Sequence, residues 1–306
     1  MPELPEVETV RRGLEPWLTG KRIRQVEIFH PRALREGSTI PFDSIIGARI
    51  ERVDRRGKFL WFVLDRDIAL VGHLGMSGQM LASPRKAQPE KHLRARIDFG
   101  DKKREFRFID QRTFGWLSVE SLVSNNYGLL PECCSHIAPD IFSEEFDERE
   151  VIAKVRGRKV EIKKALLNQE ILSGIGNIYA DEALWHAKIH PETPASKLSE
   201  IELKAIFKAV RRVMRSALKQ GGTSFDDLYI NVNGESGYFE VSLRAYGRED
   251  EPCRRCGTFI RRITFANRSS HFCPKCQRKK GVKARSRGKS RAKWGRKIPS
   301  KRGAVR

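Results

Sequence analysis

No stretch of this 306-residue chain is apolar for long enough to cross a bilayer. The opening MPELPEVETV holds three Glu and no hydrophobic run, so no secretory leader is read there. Cysteine is scarce: there are six, at positions 133, 134, 253, 256, 273 and 276. Four of them crowd together near residue 260 and two are adjacent, which is not the layout of a disulfide framework. The expectation is therefore a reducing, cytoplasmic setting. There is no G-x-G-x-x-G loop, no P-loop and no HExxH, so dinucleotide, nucleoside-triphosphate and zinc-protease chemistry find no support. Acidic residues vanish altogether from positions 277–306, where 14 Lys and Arg stand unopposed, so this tail carries +14 of the chain's net +22. A basic body with a more basic tail points to a polyanion partner, nucleic acid first. At 39% hydrophobic residues the chain is nevertheless too apolar to be disordered throughout.

What is present falls into regions of different texture. Val7, Val10, Leu14 and Leu18 recur at helical spacing behind Pro5, which a first turn tolerates, and Gly20 ends the pattern. From about residue 21 to 120 the period shortens to two. Segments 58–64 (KFLWFVL), 68–74 (IALVGHL), 94–99 (RARIDF) and 105–108 read as short strands, with 100–103 a hairpin loop and 83–92 a polar loop. Strands without intervening helices predict an antiparallel sandwich or barrel. Residues 124–140, with two prolines and a glycine, are read as a linker. Helices follow: one around Phe146, Val151 and Val155, and a longer one over 198–219, opened by a Ser199/Glu202 capping box and closed by Gly221 and Gly222. Between them, NQEILSGIGNIYADEALW (168–185) is helical except at Gly174 and Gly176, which predicts a tight joint with exposed backbone N–H groups. The expected fold class is multi-domain α+β. The units are a β-sandwich with flanking helices (1–123), the linker (124–140), a helical unit (141–243), a cysteine module (244–277) and a disordered basic tail (278–306).

The strongest single motif is Cys253-x₂-Cys256 followed, 16 residues later, by Cys273-x₂-Cys276. Two knuckles joined by a hairpin bring four soft ligands into a closed tetrahedron, which suits one structural Zn²⁺. A rubredoxin-like iron or two redox pairs are the other readings. Arg254, Arg255, Arg261, Arg262 and Arg268 stud this module, either as phosphate readers or as the solvated face of a folding staple. Cys133 and Cys134 read as small hydrophobes.

Two further features can carry chemistry. If Met1 is removed, Pro2 presents a secondary amine beside Glu3 at a helix N-terminus, where dipole and desolvation favour the free base. Such an amine can form an iminium with an aldehyde-like carbon while a nearby carboxyl moves protons. Against this stands the ordinary fact that many chains begin Met-Pro and use neither residue. The second feature pairs HLGMSG (73–78) with FIDQRTFG (108–115). Met76, Arg112 and Phe114 can fill a gap opened between bases, although on their residue types Met76 and Phe114 read first as core residues.

Taken in order, MPELPEVET, RRGKF, HLGMSG, DQRTFG, LSGIGNIYADE, VNGESGYF and AYGR leading into the cysteine module resemble the bacterial formamidopyrimidine-DNA glycosylases over residues 1 to about 277. The resemblance implies a helix–two-turn–helix in the helical unit, a β-hairpin zinc finger, and DNA between two lobes. It implies a bifunctional glycosylase and AP lyase that removes oxidised purines, formamidopyrimidine and 8-oxoguanine opposite cytosine, and then cuts the strand by β,δ-elimination. By the same resemblance Pro2 is the nucleophile, Glu3 the acid/base, Lys58 a phosphate-contacting helper of base excision and Glu6 a support of the pocket. Met76, Arg112 and Phe114 fill the hole left by the everted base, with Arg112 toward the orphaned cytosine. His73, Lys163, Gly176, Asn177 and Arg268 grip phosphates. The loop holding Asn233, Gly234, Glu235, Ser236, Gly237 and Tyr238 covers the lesion. The implied inventory is one structural Zn²⁺, no organic cofactor, damaged or abasic double-stranded DNA as partner, no membrane, and action as a monomer at the nucleoid. Where many members of that family have Asp-Pro-Arg-Arg-Phe, this chain reads Asp110-Gln111-Arg112-Thr113-Phe114, one guanidinium fewer; the tail is the expected substitute. A pyrimidine-directed, endonuclease-VIII-like relative and a binder that has lost the reaction are the alternatives. Leu4 and the VNGESGYF loop speak against the first, and the presence of Pro2, Glu3 and Lys58 against the second.

Overall fold

A computed structural model describes residues 2–222 and 243–279. The chain opens with helix α1 (Leu4–Leu18), whose apolar face of Val7, Val10, Leu14 and Leu18 is buried. Nine strands follow: β1 (Gln25–Ile28), β2 (Ile50–Arg56), β3 (Phe59–Leu64), β4 (Ile68–His73), β5 (Gly78–Pro84), β6 (Leu93–Asp98), β7 (Arg104–Asp110), β8 (Trp116–Asn125) and β9 (Gly128–Pro131). They form two antiparallel sheets, ordered β1-β6-β7-β5 and β2-β3-β4-β8-β9. Leu60, Phe62 and Leu64 of β3 face α1 and the other sheet. The alternate Trp61 and Val63 pack on the outer side against Leu130, Cys134 and Ile137, which is why β3 reads as apolar throughout.

That outer cluster corrects the reading of 124–140 as a linker. Its first part completes β8 and supplies β9, joined by the short Asn126-Tyr127 turn, and its apolar residues seal the outer face of the sheet. The polar loop after β5 is likewise anchored: the buried Arg107 guanidinium donates to the carbonyls of Ala87 and Gln88.

Beyond it lie α2 (Glu148–Arg156), α3 (Ile162–Leu167), α4 (Asn177–Ala187) and α5 (Glu200–Lys219), which share a core with Leu4 of α1. The Ser199/Glu202 capping box is present. A hairpin of β10 (Arg261–Phe265) and β11 (Arg268–Phe272) closes the described chain. Its Ala266-Asn267 turn is left-handed at both residues, the geometry that matches strand twist, and it sets Arg268 at the tip. Among the described residues no helix is long and apolar enough to cross a membrane.

Candidate active site

The N-terminal residues are built into the opposite lobe. Pro2 is buried, and the Leu4 N–H donates to the Gly174 carbonyl at 3.1 Å. Glu3, at the head of α1, reaches the head of α4. Its Oε2 accepts the Gly176 N–H at 2.5 Å and the Tyr179 N–H at 3.4 Å, and its Oε1 accepts the Ile178 N–H at 2.8 Å. These are the donors a helix leaves unsatisfied at its N-terminus, so one carboxylate serves both as cap and as chemical group. The predicted exposure of the glycine-joint amides is therefore corrected: Gly176 gives its N–H to Glu3, and Gly174 gives its own to Gln169 Oε1 at 2.9 Å. Burial pushes the Glu3 carboxyl above the ordinary carboxylate range. Glu6 pushes the same way, while Lys58 and the amides oppose. Glu6 is fixed beneath it, accepting the Glu3 N–H at 2.8 Å and the Tyr179 hydroxyl at 2.7 Å.

Lys58 enters from a hairpin. Arg56 pairs with Phe59, leaving Gly57-Lys58 as a two-residue turn with Gly57 at φ +57°. The turn presses on the glycine joint so closely that a Cβ on Gly57 would lie 2.7 Å from that of Ser173. Arg55 holds it there, bonding the Gly57 carbonyl while pairing with Glu8 at 3.0 Å and Asp140 at 2.8 Å. Burial, helped by Arg268, keeps the half-buried Lys58 ammonium below the usual lysine value against the pull of Glu3 and Glu6.

The two loops singled out in the sequence interlock. Asp110, fully buried, accepts Ser77 Oγ at 2.5 Å, the Arg112 N–H at 3.1 Å and the Gly115 N–H at 2.7 Å. Gly75 lies so near that a Cβ there would fall 2.5 Å from the Phe114 carbonyl oxygen. This locked base presents Met76 at 38% and Phe114 at 59% exposure, beside exposed Arg112, so the core reading of Met76 and Phe114 fails. His73 stacks on Trp116 and touches Phe59. Burial and then Lys58 hold its pKa at about 4, so it meets a partner as a neutral imidazole rather than a cation.

Lys163 requires a correction. It is wholly buried, pairing with Asp181 at 2.7 Å and donating to the Ser269 carbonyl at 3.1 Å, and so it ties α3 to the β10–β11 hairpin rather than facing phosphate. Asp181 also accepts Ser270 Oγ and the His271 N–H. Its neighbour Glu182 accepts the backbone N–H groups of Arg244, Ala245 and Tyr246. Sequence reasoning missed this acidic pair, Tyr179 and Asp110; the phrase IYADE contained three of the four without indicating their partners. The side chain of Asn177 meets the Tyr246 hydroxyl. Arg268 is exposed and forms no ion pair among the described residues. The four module cysteines bring their Sγ atoms within 4.8 Å of one another, a closed set of soft donors that fits a tetrahedral metal. Trp185 braces the set, its indole N–H reaching Cys253 Sγ at 3.4 Å. Residues 233–238 and the tail beyond Lys279 lie outside the described residues.

Buried Pro2 and Glu3, the outward Met76, Arg112 and Phe114, and a hairpin beside four clustered cysteines are arranged as the sequence resemblance implies for a DNA-repair protein. Three family models match in chain order: the formamidopyrimidine-DNA glycosylase N-terminal domain over 1–117, the H2TH domain of the same family over 137–228, and the zinc finger found in FPG and IleRS over 250–278. The formamidopyrimidine-DNA glycosylase of Salinispora arenicola is 53% identical over 280 residues, covering 90% of this chain and 96% of that relative. That of Rhodococcus jostii is 54% identical over 283 residues, covering 90% and 96%. The crystal structure of the MutM (Fpg) protein from Thermus thermophilus is similar at TM-score 0.78 and 36% identity, covering 91% of this chain and 99% of that one. A Lactococcus lactis Fpg variant in complex with Fapy-dG-containing DNA gives TM-score 0.79 at 34% identity, covering 91% and 100%. The chain belongs to the formamidopyrimidine-DNA glycosylase family.

Proposed function

We propose that the chain is a bifunctional DNA glycosylase and AP lyase that excises oxidised purines through the amine of Pro2. The observation that carries this reading is the Glu3 cap on α4. It holds a buried carboxylate next to the N-terminal residue and within the field of Lys58.

With Met1 removed, the Pro2 nitrogen attacks C1′ of the damaged nucleotide. The bond to the base breaks, the base leaves with a proton, and the sugar ring opens to an iminium. The iminium acidifies the C2′ protons. Loss of one expels the 3′ phosphate, and a second elimination expels the 5′ phosphate. A carboxylate offers about four lone-pair sites. Three of Glu3's are occupied by amides, so one on Oε1 remains to exchange a proton with the sugar. Lys58, with its proton affinity lowered, and Arg268 hold flanking phosphates. Met76, Arg112 and Phe114 occupy the space vacated by the base, which offsets the few kcal/mol of unstacking and unpairing that extrusion costs. Their buried anchor at Asp110 lets them enter the duplex without reordering. Residues 233–238 cover the base.

The four thiolates hold one structural Zn²⁺, which stiffens the hairpin that carries Arg268. The substrate is double-stranded DNA bearing formamidopyrimidine, 8-oxoguanine opposite cytosine, or an abasic site. The enzyme acts as a monomer at the nucleoid in the cytoplasm, its basic tail adding sequence-independent affinity.

Borohydride trapping on a duplex with 8-oxoguanine opposite cytosine tests the reading, with Pro2→Gly and undamaged DNA alongside. A covalent adduct formed by the parent, lost in Pro2→Gly and absent without damage, is expected. Trapping only on an oxidised pyrimidine would overturn the substrate, and none on any lesion would overturn the enzyme.

A further inference from the structure

Helix α5 buries Leu203, Ile206, Phe207, Val210, Val213 and Met214 in the helical core. Its other face carries Lys204, Lys208, Arg211, Arg212, Arg215 and Lys219, which with Glu148 and Ser216 line a groove of about 730 Å³. Two of the six cations are engaged, Arg211 with Glu148 at 2.9 Å and Lys204 with Glu200 at 2.5 Å. Arg215 lies over the Phe142 ring. Lys208, Arg212 and Lys219 are exposed and form no ion pair among the described residues. No role in the chemistry above uses any of them.

We propose that this outer face of α5 is a second docking surface for the phosphodiester backbone of DNA, on the flank opposite the catalytic pocket. The proposal rests on the reading that the chain works on DNA and extends it to a second segment of the same polymer. The placement follows from α1. At about 100° per residue, Glu6 and Glu8 stand about 200° apart around that helix. Glu6 faces Tyr179 on the catalytic side. Glu8 shares a cleft with Leu4, Arg12, Arg55, Phe142 and, from α5, Arg215 and Leu218. Although the chain leaving α5 comes beside Glu6 at Gly222, the groove along the outer face of α5 shares no lining residue with the group gathered around Glu3, and a duplex in the catalytic cleft leaves it open.

The occupant is argued from charge and shape. Fifteen helical rises from Lys204 to Lys219 put the cations along about 22 Å, a length over which duplex DNA presents roughly a dozen phosphates. The lining offers lysine and arginine stems, one serine and one carboxylate, Glu148, already paired with Arg211; it holds no aromatic or branched apolar side chain to anchor an acidic peptide. One molecule holding two DNA segments can pass from one to the other without entering solution, a benefit to an enzyme that must inspect long tracts for rare lesions.

The test uses full-length protein whose cleft is filled by a bead-bound short duplex carrying a tetrahydrofuran abasic analogue, titrated with a labelled undamaged duplex. Lys208→Gln/Arg212→Gln/Lys219→Gln should weaken capture of the second duplex at least about tenfold at 0.1 M salt. It should also lower the slope of log Kd against log salt by up to about 2.7, at about 0.9 for each phosphate no longer neutralised. The Glu triple at the same positions should weaken it further. Single-turnover excision and trapping on a short lesion duplex should stay within about twofold of the parent. Second-duplex capture equal in parent and variants, or no capture at all, overturns the proposal. So does displacement of the duplex by polyglutamate at equal ionic strength, which would assign the face to an acidic protein. Failure of the parent to trap would instead overturn the enzymatic reading.

Discussion

Gly176→Ala is the sharpest perturbation the structure offers, because it reaches Glu3 without changing any chemical group. The backbone at Gly176 has φ −125°, a conformation alanine adopts freely. Its Cβ, however, would lie 2.4 Å from Glu3 Cδ, 2.5 Å from Oε1 and 2.8 Å from Cγ. The carboxylate must retreat by about 1 Å to restore ordinary contact. That breaks the two short amide bonds at 2.5 and 2.8 Å. Hydrogen bonds to a charged group contribute about 1.5–3 kcal/mol each. Against their loss stands about 0.4–1 kcal/mol gained from a less flexible unfolded chain. The expected net cost is about 2–6 kcal/mol. A displacement of that size at a reacting group costs about 100-fold in rate. Single-turnover excision of 8-oxoguanine, measured well below the melting temperature of each protein, separates the two effects. Gly20→Ala is the control: φ there is +82° and nothing lies within 4 Å, so it strains the backbone and should leave the rate alone. Excision by Gly176→Ala within about threefold of the parent would refute the argument that Glu3 works from its seat on α4.

Three other outcomes follow from geometry already described. Removing the metal with a strong chelator should release one equivalent of zinc, unfold the hairpin and abolish tight lesion binding; an unchanged Kd after full release would contradict the structural role. His73 takes up its proton at about 4 in the fold, against an ordinary 6.5. Its contribution to stability is thus complete above pH 6.5 and disappears as pH falls toward 4, a difference of no more than about 3 kcal/mol. Urea melts at pH 7 and pH 5 should show this for the parent, and His73→Phe should flatten the dependence. Lys163→Ala should cost about 3–5 kcal/mol of stability by stranding buried Asp181, yet leave the salt slope of DNA binding unchanged. A slope lower by about 0.9 would return Lys163 to the phosphate contacts.

Features fixed by neighbours in sequence were readable in advance. The strand period of two, the Ser199/Glu202 cap and the four-cysteine spacing are local, and each marks its own element. The turn Asn126-Tyr127 was also local, but the flanking prolines made 124–140 look like a connection when its apolar residues had a sheet face to cover. Long-range pairing was not readable. Nothing near Lys163 indicates that Asp181 and the Ser269 carbonyl, on other elements, neutralise it in the core. The resemblance put it on phosphate, and a lysine is seldom fully buried without such partners, so nothing local argued for the core. The glycine joint misled for the same reason. Its amides were read as exposed, but the Gly176 N–H has its acceptor at Glu3, 173 positions away, while that of Gly174 uses the nearby Gln169. Met76 and Phe114 show the reverse case, where apolar character suggested the interior and Asp110 instead holds their loops outward.

The bond from Gly176 to Glu3 spans 173 positions. The ribosome releases the reactive end of this protein first, long before α4 exists to receive it. Until then the proline and glutamate are an ordinary loose terminus, with no oriented proton acceptor and no dry seat. An unfinished, cleaved or misfolded copy therefore lacks the seated carboxylate on which the proposed proton transfers depend. For a protein whose reaction breaks DNA strands, this makes synthesis through α4 a safety catch: the carboxylate gains its oriented seat only once the chain has reached the helix that receives it.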